Sequence, residues 1–133
     1  MLLRQLFDRN SSTYTYIIGS KKDALIIDSV KENVPQYMNL LDELGLSLKI
    51  VLDTHVHADH ITGSGLLQQQ KGCEVGSPKE STACCGSFFF EDGTILELDG
   101  LKFQCLFTPG HTNDSYCFYI DFQCCCLNCN VDC

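Results

Sequence analysis

Residues 54–60 read Thr-His-Val-His-Ala-Asp-His, and this stretch decides the fold class and the kind of site that we predict. It follows residues 48–53, Leu-Lys-Ile-Val-Leu-Asp, whose apolar character is typical of a strand. A loop at the carboxyl end of a strand can turn several side chains toward one point. Imidazole and carboxylate groups together suit a divalent ion such as Zn²⁺, Fe²⁺ or Mn²⁺. The pattern H-x-H-x-D-H therefore predicts a metal site.

The fourth of the chain's 4 histidines, His111, stands in a similar place. It follows a predicted strand over 101–107, and the intervening Pro109-Gly110 predicts a sharp turn. His55 and His57 would share one face if their own strand continued, because side chains alternate with a period of two. Because both histidine stretches directly follow predicted strands, we expect His111 to meet the first cluster as an additional metal ligand.

The remainder of the chain predicts a layered α/β fold. Strands are predicted over 13–18, 24–28, 48–53, 73–76, 94–98, 101–107 and 115–121, and helices over 34–44 and 62–71. Asn33 is expected to cap the first helix, Pro35 suits its first turn and Gly45 can end it. Ser77-Pro78 is expected to open a third helix. Strands that begin as hairpins and then mix with helices indicate an α/β architecture.

Length and charge exclude several function classes. The chain has 133 residues, which predicts a single domain. Its 17 acidic and 9 basic side chains give a net charge of −8, which argues against nucleic-acid partners and against docking on anionic lipid. No apolar run approaches the roughly 18 residues of a membrane span, and the first residues are not typical of a signal peptide. We expect a soluble cytoplasmic protein, with a mitochondrial location as the alternative.

The 10 cysteines are unevenly distributed. Half of them stand in the last ten residues: Cys124, Cys125, Cys126, Cys129 and Cys133. A disulfide framework would cross-link the whole chain, whereas this distribution would cross-link mainly its end. The cysteines before residue 121 are therefore expected to be reduced thiols. A zinc knuckle around Cys126-Leu-Asn-Cys129 is an alternative for the end of the chain.

The two histidine stretches resemble a known family. His55-x-His57-x-Asp59-His60 followed by Thr108-Pro-Gly-His111-Thr resembles the metallo-β-lactamase superfamily. Segments 4–8, 11–16, 25–28, 41–46 and 53–66 are similar to the persulfide dioxygenases, which are related to glyoxalase II. The resemblance implies an α/β fold, the N-terminal part of an αββα sandwich with a mixed sheet and flanking helices. It implies a partial domain over 1–120 and a Cys-rich tail over 121–133 outside the family pattern.

The same resemblance implies a chemistry. The family binds one Fe²⁺ per chain through two histidines and an aspartate, and its histidines match His55 and His111; Zn²⁺ is the alternative metal. His57 is expected as a further ligand, and His57, Asp59 and His60 are expected to act catalytically around the metal. The implied reaction oxidises glutathione persulfide, a small-molecule substrate, with O₂ and water to sulfite and glutathione. Whether the chain forms a homodimer stays open.

The sequence also departs from the family pattern. The family's aspartate ligand belongs to a Thr-Gly-Asp segment that this sequence lacks. Asp132 stands at about the right distance from His111, but within the sequence Asn-Val-Asp-Cys. We therefore expect a truncated or frameshifted member with impaired activity and one sheet face left uncovered. Two alternatives stay open. One is a glyoxalase II-like thiolester hydrolase that holds two metals through the five histidine and aspartate side chains of both stretches; the other is an inactive metal-binding fragment.

Overall fold

The computed structural model describes residues 1–57, 61–82 and 86–120, and the backbone of 123–125. The elements of these residues are β1 (Leu2–Asp8), β2 (Thr13–Ser20), β3 (Asp23–Ile27), a 3₁₀ turn (Lys31–Asn33), α1 (Val34–Leu44), β4 (Ser47–Leu52), α2 (Ser64–Lys71), β5 (Glu74–Pro78), β6 (Phe88–Phe90), β7 (Ile95–Leu98), β8 (Leu101–Phe107), β9 (Tyr116–Ile120) and β10 (Gln123–Cys125). The mixed α/β class is confirmed. The predicted Cys-rich tail lies outside the described residues, apart from the backbone of β10, which pairs with β9.

The strands form two sheets. The first sheet has the order β1-β2-β3-β4-β5-β6, and the second has the order β10-β9-β8-β7. Strands β1 to β3 pair antiparallel, whereas β3 to β6 pair parallel. Helices α1 and α2 connect the parallel strands, as crossover connections require. The carboxyl ends of β3, β4 and β5 consequently meet at one edge of the sheet, where binding sites of such sheets form.

The core has two apolar clusters, one on each face of the first sheet. On the outer face, Ile26 and Val51 pack against Tyr37 and Leu41 of α1 and Leu67 of α2. On the inner face, the buried side chains of both sheets form one cluster, which includes Ile18, Leu25, Ile27, Leu52, Phe90, Phe103 and Phe118. The layers of the described residues are therefore helices, first sheet and second sheet.

The expectation of an uncovered sheet face is wrong for the central strands. Inward residues such as Leu25 and Leu52 are fully buried, because the second sheet packs over them. Among the described residues, the part of this face next to β1 stays accessible. Leu3 is 41% exposed and Phe7 is 50% exposed on β1, and Tyr14, which pairs with Phe7, is 39% exposed on β2.

Two local predictions differ from the structure, and a third is confirmed. Ser77-Pro78 ends β5 and pairs with β6 instead of opening a helix. A proline at the last residue of a strand is tolerated, since its missing N–H leaves few ladder bonds unmade. Asn33 makes no side-chain cap and instead donates from Nδ2 to Asp8 Oδ1 at 3.2 Å. Gly45, as predicted, ends α1 in the left-handed conformation with φ of 66°.

Gly76 of β5 is a position where a side chain would not fit. A Cβ atom there would lie 2.5 Å from Phe88 Cζ and 2.6 Å from Leu52 Cδ2. We expect Gly76→Ala to lower the free energy of unfolding by about 2 kcal/mol, because packed core residues would have to shift. Gly65→Ala is the matched control, since nothing lies within 4 Å of a Cβ at Gly65 in α2. Urea unfolding of both variants tests this, and equal stability of the two would contradict it.

Candidate metal centre

Three histidine rings meet at the edge where the parallel strands end. His55 and His57 lie in the loop after β4, and His111 lies in the turn between β8 and β9. The ring centroids of His55 and His57 are 4.2 Å apart, and those of His55 and His111 are 5.0 Å apart. His55 is buried, whereas His111 is exposed. The structure thus brings together the three residues that we predict as ligands, and their ligand role stays a prediction.

The other two predicted site residues, Asp59 and His60, lie outside the described residues. The described chain stops at His57 on one side and resumes at Ile61 on the other. Their predicted catalytic role therefore stays a prediction.

A buried carboxylate that sequence reasoning missed holds the histidine loop. Asp28 follows β3 directly and is fully buried. Its Oδ1 accepts hydrogen bonds from the Thr54 backbone N–H at 2.8 Å and from His57 Nε2 at 2.9 Å. Its Oδ2 accepts a hydrogen bond from Thr54 Oγ1 at 2.8 Å. The sequence does contain one sign of this role, because the apolar run Leu25-Ile-Ile-Asp28 ends in a carboxylate.

These hydrogen bonds decide which ring nitrogens carry protons. An ionised carboxylate only accepts, so His57 Nε2 carries a proton. The Thr54 hydroxyl gives its proton to Asp28, so it must accept from His55 Nδ1, which lies 2.8 Å away. The lone pair of His55 is then on Nε2. Partners of this kind fix the tautomer and the orientation of metal-binding histidines.

The charge state of His55 also favours metal binding. Burial lowers the pKa of His55 below its usual value, and the neighbouring His57 lowers it further. A lowered pKa favours the neutral imidazole, and only the neutral ring binds a metal.

A second carboxylate, Asp53, lines a cleft beside the histidines. Its Oδ1 accepts from Thr62 Oγ1 and its Oδ2 from Ser64 Oγ, both at 3.0 Å. Burial raises the pKa of Asp53 to about 6, and the charge of Asp28 contributes in the same direction. The cleft has a volume of about 100 Å³ and is lined by Asp53, His55, Val56, His57, Thr62, Ser77, Pro78 and Ser81.

The donor set fits a divalent transition metal at the three histidines better than at the carboxylates. Ligand atoms of Asp28, Asp53 and His57 do lie within 4.8 Å of one another. However, both oxygens of Asp28 already accept hydrogen bonds, and His57 Nε2 is one of the donors. A cation among them would displace these bonds. By contrast, the hydrogen bond from His55 Nδ1 to Thr54 leaves the lone pair of His55 on Nε2.

The sequence also matches a known protein family. The family model described as the metallo-beta-lactamase superfamily matches residues 8–83. The chain belongs to the metallo-beta-lactamase superfamily. The predicted family and fold are thereby confirmed.

Several individual proteins are similar to this chain. Human mitochondrial persulfide dioxygenase ETHE1 is 38% identical over 124 residues, which cover 91% of this chain and 48% of that protein. The crystal structure of ETHE1 from Myxococcus xanthus superposes with a TM-score of 0.87 at 43% identity, covering 90% of this chain and 54% of that chain. A hydroxyacylglutathione hydrolase of Francisella tularensis is 29% identical, over 91% of this chain and 48% of that protein. The chain spans about half the length of the curated relatives that it matches.

The helices of the metallo-beta-lactamase fold are short in this chain. Helix α1 has 11 residues and α2 has 8 residues. Among the described residues, no helix has the length and apolar character needed to cross a membrane.

Proposed function

We propose that this chain carries the iron centre of a persulfide dioxygenase, an enzyme that oxidises glutathione persulfide with O₂ and water to sulfite and glutathione. The observation that carries the proposal is the meeting of His55, His57 and His111, with ring centroids 4.2 Å and 5.0 Å apart. The similarity to human ETHE1 and to the Myxococcus ETHE1 structure supports the choice of reaction. The domain is proposed to span 1–120, and the protein is proposed to be cytoplasmic, with the mitochondrion as the alternative.

His55 and His111 would hold Fe²⁺, with Zn²⁺ as the alternative metal. When bound, Fe²⁺ supplies the one-electron steps that let triplet O₂ react with closed-shell sulfur. The chain itself contributes the orientation of the rings. Asp28 and Thr54 hold His55 with Nδ1 protonated, so that Nε2 can donate its lone pair. His57 is held by the same carboxylate and stands beside His55 as a further donor.

The cleft beside these rings suits the reacting end of a persulfide. Its volume of about 100 Å³ has room for a few atoms only, so the body of a glutathione molecule would lie outside it. Ser77 lines the cleft with a hydroxyl group, which can donate a hydrogen bond to an anionic sulfur. Val56 and Pro78 add apolar surface, which suits a polarisable sulfur atom. We propose that this cleft receives the terminal sulfur, with Asp59 and His60 acting catalytically next to it.

Oxygen uptake tests the proposed reaction. The full chain, loaded with Fe²⁺ without oxygen, is mixed with glutathione persulfide and air-saturated buffer, and O₂ consumption and sulfite are measured. We expect iron-dependent formation of sulfite at one sulfite per O₂ consumed. Zinc-loaded protein is the matched control and is expected to form none. Sulfite no higher than in a sample without protein would contradict the proposal.

A thiolester hydrolase is the second candidate. A specific observation favours it: His57 joins the cluster as a third imidazole, whereas a mononuclear iron site of the proposed kind uses two. The similarity to the Francisella hydroxyacylglutathione hydrolase points the same way. Metal content separates the candidates, because one iron per chain favours the dioxygenase and two metals per chain favour the hydrolase. Hydrolysis of a hydroxyacyl glutathione thiolester by the metal-loaded chain would decide for the second candidate.

A further inference from the structure

We infer that Asp114 is a positioning residue that sets the separation between the two histidine-bearing loops. It belongs to the turn that carries His111, and it bonds to the loop that carries His55 and His57. The inference rests on the proposed function, since it assumes that His55 and His111 bind one metal ion.

Asp114 is fixed within its own turn. It is buried, with 8% of its surface exposed. Its Oδ1 accepts a hydrogen bond from Thr112 Oγ1 at 2.7 Å. Ser115 Oγ accepts a hydrogen bond from the Thr112 backbone N–H at 3.1 Å, and Thr108 N–H donates to the Ser115 carbonyl at 2.9 Å. The carboxylate is therefore part of a compact turn rather than a mobile side chain.

The other oxygen of Asp114 reaches across to the first loop. Oδ2 accepts a hydrogen bond from the Val56 backbone N–H at 2.9 Å. Val56 lies between His55 and His57 in the sequence, so this bond holds the backbone that carries both rings. A second link between the loops runs from the Tyr116 N–H to the Thr54 carbonyl at 2.9 Å. The two links thus bracket His55 on either side.

His111 depends on this linkage more than His55 does. His55 is buried and is bonded to Thr54, whereas His111 is exposed and holds its place through its turn. Without the Asp114 carboxylate, the turn would lose its bond to the Val56 N–H and would keep the Tyr116 link to the Thr54 carbonyl. Metal binding would then have to order the two loops relative to each other, and that ordering weakens affinity. Loss of an outer partner of this kind typically lowers metal affinity by about 10- to 100-fold.

The experiment measures metal binding rather than catalysis. The metal-free full chain is titrated with Co²⁺, whose visible absorption reports the ligand geometry, and with Zn²⁺ in competition with a chromogenic chelator. We expect Asp114→Ala to weaken binding by about 10- to 100-fold and to change the Co²⁺ spectrum. Asp114→Asn is expected to restore most of the affinity, because the amide oxygen can still accept from the Val56 N–H.

Asp92→Ala is the matched control. Asp92 Oδ1 also accepts a backbone hydrogen bond, from the Phe107 N–H at 2.9 Å, and that donor does not belong to the Thr54–His57 loop. It is expected to bind Co²⁺ with the affinity and spectrum of the unaltered chain. Thr112→Val removes a bond to Asp114 and keeps the carboxylate; it is expected to weaken binding by a smaller factor. If Asp114→Ala does not fold, the Co²⁺ affinity of Thr112→Val tests the inference in its place.

The outcomes separate the inference from the proposed function. Binding by the unaltered chain together with unchanged affinity and spectrum in Asp114→Ala would overturn the inference alone. Equal losses in Asp114→Asn and Asp114→Ala would also overturn it, because the loss would then not follow the link to Val56. No binding by the unaltered chain would overturn the proposed metal centre, and the inference with it.

Discussion

Asp28→Ala is expected to lower the free energy of unfolding of the metal-free chain by about 4 kcal/mol. Asp28 is fully buried, and its oxygens accept hydrogen bonds from the Thr54 N–H, the Thr54 hydroxyl and His57 Nε2. Alanine would leave three donors without this acceptor, and each unpaired buried donor costs about 1–3 kcal/mol. The backbone adds to the loss, because Asp28 has φ of 55°, which alanine adopts less readily than aspartate. Urea unfolding in the presence of a chelator measures the effect.

The same substitution is expected to weaken Co²⁺ binding by about 100-fold, because His55 and His57 lose the groups that orient them. Asp42→Ala is the matched control. Asp42 lies on α1 with a side chain that is 72% exposed, and its Oδ1 lies 3.7 Å from Lys71 Nζ. Its removal is expected to change stability by less than about 0.5 kcal/mol. A loss of under 1 kcal/mol in Asp28→Ala would show that the buried carboxylate does not hold the loop.

The sequence predicts those parts of this molecule that depend on neighbours in the chain. The sequence predicts the helix over 34–44 at its observed bounds, because an apolar period, Pro35 and Gly45 are all local signals. His55 and His57 stand two residues apart, so their closeness also follows from the sequence alone. The position of His111 required one further assumption, that both loops follow strand ends at the same edge of the fold.

The residues that hold the site depend on distant partners. Asp28 binds Thr54 across 26 positions of sequence, and Asp114 binds Val56 across 58 positions. The chain has 17 acidic side chains, and few of them can reach the histidine loop. The parallel pairing of β3 with β4 and the packing of the second sheet determine which ones do. Neither is visible as a local pattern. The same reason explains Ser77-Pro78, which resembles a helix start until β6 is found beside it.

His55→Ala and His111→Ala are each expected to abolish iron binding, with affinity for Co²⁺ reduced on the order of 100-fold or more. The two rings belong to different loops, and their centroids are 5.0 Å apart. Each substitution removes one of the two imidazoles that the proposal assigns to Fe²⁺, and the remaining ring together with His57 would hold a metal weakly. Iron content after gel filtration and Co²⁺ titration measure the loss. Unchanged binding in both variants would refute the ligand assignment.

The two variants differ in what else they disturb, and this difference identifies the cause of the loss. His111 is exposed, so His111→Ala is expected to leave the free energy of unfolding of the metal-free chain within about 0.5 kcal/mol of its original value. His55 is buried against Thr54, so His55→Ala is expected to lower it by about 1–3 kcal/mol. Asn113→Ala, an exposed substitution in the turn of His111, is the control and should bind metal normally. Loss of metal in His111→Ala without loss of stability can then only come from the missing ligand, since the fold that positions His55 is intact.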